Sequence, residues 1–259
     1  MAPEPDQASR SHAPNPEPPA GPRRRIAAVG DLHCQDSSRG RIRAALDGVD
    51  HKAEVLVLCG DLTDRGTVAE AEILAGELSG IRVPMVGVLG NHDFETGHGD
   101  EVRRILGQAG VHLLDGESWL LDDDLGFAGA KGFAGGFGDH VLQGWGENAV
   151  KGFVMAAIDE ELKLETALAK LRTTRRIAVL HYSPMRGTVI GEPPEIHAFL
   201  GTSRLQVPIN RYHAHAVFHG HAHRGTHSDR TDRDVPVFNC AFPLLRRLDP
   251  PLNFAIVEV

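Results

Sequence analysis

The chain predicts an α/β fold in which helices cover a largely parallel sheet. Three observations carry that expectation. Short uninterrupted aliphatic runs alternate with amphipathic stretches from Ile26 to Ala109, and continuous apolar character marks strands buried on both faces. Most of these runs end in a glycine-bearing cluster of Asp, Asn or His, which gathers polar chemistry at one edge of a sheet. Hydrophobic residues make up 41% of 259 positions, enough for one large core rather than two small ones.

Residues 1–24 form a separate region ahead of a single domain at 25–259. Pro3, Pro5, Pro14, Pro16, Pro18, Pro19 and Pro22 stiffen it and almost nothing aliphatic is present to bury, so it is expected to be disordered or extended. Arg23-Arg24-Arg25 closes it; a solvated linker end is the plainer reading, and a contact with a phosphate-rich partner the other.

Ile26 to Val29 reads as the first strand, followed by a helix around Arg39 to Val49. Val55 to Leu58 and Val83 to Leu89 are the next strands, with helices at Val68 to Leu78 and Glu101 to Ala109. Val111 to Leu114, Ser118 to Leu121 and Gly126 to Ala130 are short and turn-separated, more meander than crossover. Lys131 to Gly138 opens a glycine-dense loop running to about Val150. It is too irregular for a dinucleotide fingerprint, which needs a strand before it and a helix opening on it. A helix is expected from Ala156 to Leu171, with Leu162, Leu164, Leu168 and Leu171 on its apolar side. Ile177 to Leu180 leads into His181, Ala216 to Phe218 into Gly220, and strands near Val235 to Asn239 and Phe254 to Val257 end the chain. The long connections 131–150 and 183–210 are expected to shape a pocket.

Bulk properties exclude several classes. A formal net charge of −8 argues against broad electrostatic binding to nucleic acid or anionic membrane. No apolar run approaches the roughly 20 residues that span a bilayer. Three unpaired-looking cysteines and no apolar leader make a reducing, cytoplasmic setting the expectation.

Five clusters carry the chemistry. Asp31 and His33 stand two apart just beyond a strand; in extended backbone such residues share a face and can hold one cation. Gly60 lets the chain bend as it leaves the next strand, and the two oxygens of Asp61 can bridge two cations. Asp64 and Arg65 look like a supporting pair. Arg65 either forks onto phosphate oxygens or closes a salt-bridged turn. In Gly90-Asn91-His92-Asp93, Asn91 offers a neutral oxygen and His92 an imidazole for a leaving group. Asp93 is expected to hold the tautomer of His92. His181 ends a strand as a single candidate ligand, and His221 and His223 repeat the two-apart spacing after Gly220. Of the 15 histidines in the chain, most of the others need no function. His140 is a weaker candidate for lining a cleft, and His219 is expected to point away from His221. Cys34 reads as a buried packing thiol.

In this order, D-x-H, G-D-x-x-D, G-N-H-[DE], H and G-H-x-H resemble the calcineurin-like metallophosphoesterase superfamily from Ile26 to the C-terminus. The resemblance implies an α/β fold of four layers, an α/β/β/α sandwich of two mixed sheets flanked by helices. It also implies two divalent metal ions: one held by Asp31, His33, Asp61 and His223, with Asp61 bridging to a second held by Asn91, His181 and His221. His92 matches the family's general acid. Leu89 and Asp93 stand where the protein serine/threonine phosphatases carry arginine and glutamate, and Asp64 stands where purple acid phosphatases carry tyrosine. The chain therefore looks closer to the bacterial phosphodiesterase-like branch, although Asp64-Arg65-Gly66 also resembles the protein phosphatases.

The implied activity is hydrolysis of a small phosphodiester or phosphomonoester by in-line attack of a metal-bridging hydroxide, with proton donation by His92. A mixed oxygen and imidazole donor set without thiolate suits Mn²⁺, Fe²⁺ or Zn²⁺, with Mn²⁺ expected. A nuclease acting on DNA or RNA, with nucleic acid only as substrate, and a catalytically silent protein-binding scaffold are the alternatives.

Overall fold

The structure, a computed structural model, describes residues 21–259; most of the Pro-rich region assigned to 1–24 lies outside the described residues. In chain order the elements are β1 (Arg25–Val29), α1 (Arg41–Ala45), α2 (Val49–Lys52), β2 (Val55–Cys59), α3 (Val68–Leu78), β3 (Met85–Val88), α4 (Gly99–Gln108), β4 (Val111–Leu113), β5 (Glu117–Leu120) and β6 (Leu125–Gly129). Then follow α5 (Asn148–Lys170), β7 (Arg175–Val179), α6 (Gln206–Arg211), β8 (Ala216–His219), β9 (Ser228–Arg230), β10 (Pro236–Asn239), α7 (Phe242–Leu245) and β11 (Ala255–Glu258).

The strands form two mixed sheets, ordered β11-β1-β2-β3-β4 and β5-β6-β7-β8-β10-β9. β1 to β4 run parallel and β11 antiparallel at the edge. In the second sheet β6, β7, β8 and β10 are parallel between antiparallel edges β5 and β9. The inner faces meet in one apolar cluster holding Ile26, Leu56, Val86, Phe127, Ile177 and Phe218. A second cluster, with Leu164, Leu168, Leu180 and Val217, fills the space between the second sheet and its helices α5 and α6. With α3 and α4 on the other side, the layers are α/β/β/α.

Local signals explain several elements. α3 begins just after Thr67 because the Thr67 Oγ1 accepts from the Glu70 N–H while the Glu70 carboxylate accepts from the Thr67 N–H, a reciprocal cap. The single helix expected over 39–49 is instead two short ones, parted where Gly48 takes φ 76°. α5 starts at Asn148 rather than Ala156 and runs through Gly152. β4 is the parallel edge of the first sheet, so only β5 and β6 make the expected hairpin. β9 was invisible to hydrophobic patterning because all three residues are exposed.

The N-terminal ends of the strands are stapled by ions. The Arg24 guanidinium donates to Glu54, Asp122 and Asp124, and buried Arg175 pairs with Asp124 and donates to the Pro22 carbonyl. Arg24 is thus a fixed link between the sheets and not a solvated linker end. A cavity of about 440 Å³ opens here, lined by Arg23, Arg24, Glu54, Asp124 and Arg175. It lies at the end of the strands opposite the clusters described next. Among the described residues no helix is long and apolar enough to cross a membrane.

Candidate metal centre

Each cluster leaves the C-terminal end of a strand: Asp31 and His33 after β1, Asp61 after β2, Asn91 to Asp93 after β3, His181 after β7, and His221 and His223 after β8. Three of these strands belong to one sheet and two to the other, so the site straddles the seam. Backbone bonds fix the loops to one another. Asp31 N–H donates to the Gly60 carbonyl (2.8 Å), His33 N–H to the Asp61 carbonyl (3.0 Å), and Gly220 N–H to the His181 carbonyl (3.1 Å).

The reason these side chains converge differs from the extended-strand expectation. Asp31, His33, Asp61 and His221 have φ of 54°, 43°, 48° and 69°, in the left-handed region. Among the described residues only two other non-glycine positions do so. Such a conformation costs about 1–3 kcal/mol each, so the surrounding structure holds these residues out of extended geometry. Glycine makes room beside them: a Cβ on Gly90 would land on the Asp61 carboxylate, and one on Gly220 on that of Asp31.

All seven expected ligands are brought together. Three overlapping groups have donor atoms within 4.8 Å of one another: Asp31, His33 and His223; His33, Asp61 and His92; and Asp61, His181 and His221. His223 Nε2 lies 2.9 Å from Asp31 Oδ1. Asp61 Oδ1 lies 3.3 Å from His181 Nε2 and its Oδ2 4.0 Å from His33 Nε2, so its two oxygens face different groups. Asn91 Oδ1 is 2.9 Å from His181 Nε2. The other ring nitrogen of His181 sits 2.9 Å from the Cys59 carbonyl, which orients its Nε2 toward Asp61.

Charge is concentrated here under burial. Burial works against ionising Asp61, yet His181 and the His92 amide hold its carboxyl well below the usual range. Burial also opposes protonation of His181, but Asp61 and Asp31 raise it to about 9. At His221 burial, aided by the neighbouring His181, prevails over Asp31 and Asp61 and takes the ring down to about 3.

The supporting residues are partly redistributed. Asp93 does not touch His92. Its carboxylate accepts from the amides of Gly90 (2.8 Å), Leu62 (3.2 Å) and Thr63 (2.8 Å) and from the Thr63 hydroxyl (2.6 Å), tying the β2 and β3 loops together. His92 is oriented by the Asp64 carbonyl, 2.6 Å from its Nδ1. The Asp64 carboxylate lies 3.6 Å from His33 Nδ1. Arg65 is on the surface, 3.7 Å from Glu95, which is the salt-bridged turn. His140 is exposed on a short 3₁₀ turn. His219 points inward to the Thr188 hydroxyl (2.8 Å), away from His221 as expected. Cys34 is buried, and burial pushes its thiol up to about 12.

Sequence reasoning missed Arg247 and Tyr182. Arg247 Nη2 donates to the His223 carbonyl, and Tyr182 packs its ring 4.4 Å from that of His221. Arg247 lies remote in sequence from any motif; Tyr182 directly follows His181 and was the more findable.

The donor set fits divalent cations. Both ring nitrogens of His33 are buried without a hydrogen-bond partner, and two carboxylates and five imidazoles converge there, with ion pairs among themselves. Such donors call for a cation.

Comparison with known proteins agrees. Residues 24–225 match the family model of the calcineurin-like phosphoesterases. No curated protein matches by sequence. Among solved structures, phosphopantetheinyl hydrolase from Mycobacterium tuberculosis superposes with a TM-score of 0.63 at 17% identity, covering 90% of this chain and 95% of that one. The protein TT1561 of Thermus thermophilus gives 0.55 at 14%, covering 86% and 92%. GAP50, an anchor in the inner membrane complex of Plasmodium, gives 0.52 at 12%, covering 85% and 72%. At these identities the likeness is one of fold.

Proposed function

Starting from a chain that belongs to the calcineurin-like phosphoesterase family, we propose that it hydrolyses a small phosphodiester, with phosphomonoesters as the second substrate class, using two divalent cations. Asp31, His33, Asp61 and His223 would hold one, and Asp61, Asn91, His181 and His221 the other. Such ions, when bound, lower the pKa of coordinated water and neutralise phosphoryl oxygens; Mn²⁺ is our choice, ahead of Fe²⁺ and Zn²⁺.

The observation that supports this best is the overlap of the three donor groups, which share His33 and Asp61. A structural histidine cluster has no need of a carboxylate whose two oxygens face two separate sets. His92 supplies the proton. Its Nδ1–H donates to the Asp64 carbonyl, which leaves Nε2 as the atom that carries a proton to the leaving oxygen. Its side chain is 37% exposed, so a substrate can reach it. Proton donation of this kind is typically worth about 10²–10⁴-fold.

The test is turnover of bis-p-nitrophenyl phosphate and p-nitrophenyl phosphate by protein stripped with chelator and reloaded with Mn²⁺, Fe²⁺ or Zn²⁺. Activity restored by two equivalents is expected, with the diester preferred. Saturation at one equivalent, or full activity without metal, would sink the two-ion reading.

A further inference from the structure

Beside the metal centre the protein presents an apolar wall that its own core does not use. Two connections build it, 131–147 after β6 and 183–205 after β7. They are laced together by Gly135 N–H to the Ala198 carbonyl (2.8 Å), Gly136 N–H to the Gly201 carbonyl (2.9 Å) and Ser203 N–H to the Gly136 carbonyl (3.1 Å). Gly138 N–H also donates to the Ser203 hydroxyl (2.9 Å), and Arg204 to the Leu142 carbonyl (3.2 Å). A small core of Phe137, Val189, Leu200 and Ala222 roots the pair in the Gly220–His223 turn, since Ala222 lies between the two candidate ligands.

The wall is therefore fixed relative to the metal ligands, and its large side chains face outward. Trp145 is 69% exposed and Phe199 60%, with Leu142 and Ile196 also exposed. Phe199 is the nearest to the chemistry: its carbonyl is 3.3 Å from His221 Nε2. Phe94, two residues from His92, is exposed on the β3 side. Leu142 and Phe199 stand on segments pinned by these bonds, so their exposed side chains are held in place beside the site.

Resting on the phosphoesterase reading, we propose that this wall binds the organic arm of the substrate, and that the arm is apolar or aromatic. The natural substrate is then an ester of phosphate with a hydrophobic or flat group. A sugar phosphate or a phosphorylated peptide with a charged flank does not fit. The contact of the Phe199 carbonyl with His221, a candidate ligand, places this segment at the rim of the metal centre and selects the substrate as the occupant.

Methyl, butyl, hexyl and phenyl p-nitrophenyl phosphodiesters share one leaving group, so differences in kcat/KM report the arm. Each buried methylene is worth about threefold to fourfold, and partial burial on a rim should give at least tenfold from methyl to hexyl, expressed in KM. In Phe199→Ser/Trp145→Ser that ratio should fall below threefold, with melting temperature held because both side chains are exposed. A flat wild-type series, or an unchanged ratio in the double variant, overturns the proposal. Calorimetric binding of methyl-, hexyl- and phenylphosphonate to the Mn²⁺-loaded protein reads the same ratio without turnover. A preserved ratio with no hydrolysis would thus remove the enzyme reading and leave the wall, whereas a flat ratio removes the wall alone. A flat ratio accompanied by Phe199-dependent co-sedimentation with phosphatidylcholine vesicles would reassign the surface to a membrane.

Discussion

Asp93 and His92 are neighbours in the chain with opposite assignments. The Asp93 carboxylate is fully buried and receives four donors from two loops, so its removal leaves amides unmatched. Asp93→Ala is expected to cost about 3 kcal/mol, the scale of losing a charged acceptor and stranding its donors, and to lower metal content as the β2 and β3 loops part. His92→Ala should keep both melting temperature and metal while losing turnover, most severely with poor leaving groups. Melting curves and elemental analysis on the two variants separate the roles. If Asp93→Ala lost only turnover, the carboxylate would be acting through His92 after all. The seven candidate ligands were legible because their residue types and order are themselves the signal. The partners of Asp93 were not, because backbone amides carry no mark in a sequence, and Arg247 was hidden for the same reason: it meets a carbonyl.

Elements were legible where an aliphatic run was uninterrupted, as in β1, β2 and α3, and illegible where glycine had two meanings. Gly48 does break a helix, but Gly152 sits inside one, and nothing local distinguishes them. Gly90 has a third meaning. It ends the β3 run so that the chain can pass directly against Asp61, and a methyl group there would occupy the position of the Asp61 carboxylate. Gly90→Ala should therefore displace the residue that faces both donor groups. The clash includes the Asp61 backbone amide as well as its carboxylate, so the β2 loop must shift with the side chain, while the sheet core it leaves is not touched. Metal content is expected to fall by at least one equivalent, with circular dichroism unchanged. Two equivalents retained would mean that Asp61 can be moved without penalty, and would count against its shared position.

At the scale of the whole molecule, two sheets must stay in register for ligands from β1 to β3 to meet those from β7 and β8. Hydrophobic patterning identified the strands other than β9 but could not say where one sheet ends and the next begins; β4 and β5 are consecutive yet lie in different sheets. Inter-sheet apolar packing supplies the cohesion, but it is non-directional. Direction at the far end comes from Arg24, directly before β1, which meets Asp122 and Asp124 of the β5–β6 turn. The Arg24 hydrogen bond chiefly, against some burial, holds the Asp122 carboxyl down to about 2. Because the folded pKa lies below the ordinary carboxylate value near 4, this contact stabilises the fold fully above about pH 4. The contribution is lost as pH falls through about 2. Asp122 is largely solvent-accessible, so screening keeps the effect modest. Arg24→Gln should narrow the gap between melting temperatures at pH 5 and pH 2.5, and added salt should narrow it in the wild type as well. An Arg24→Gln variant with the same acid sensitivity as the wild type would show that the sheets are aligned by their apolar faces alone.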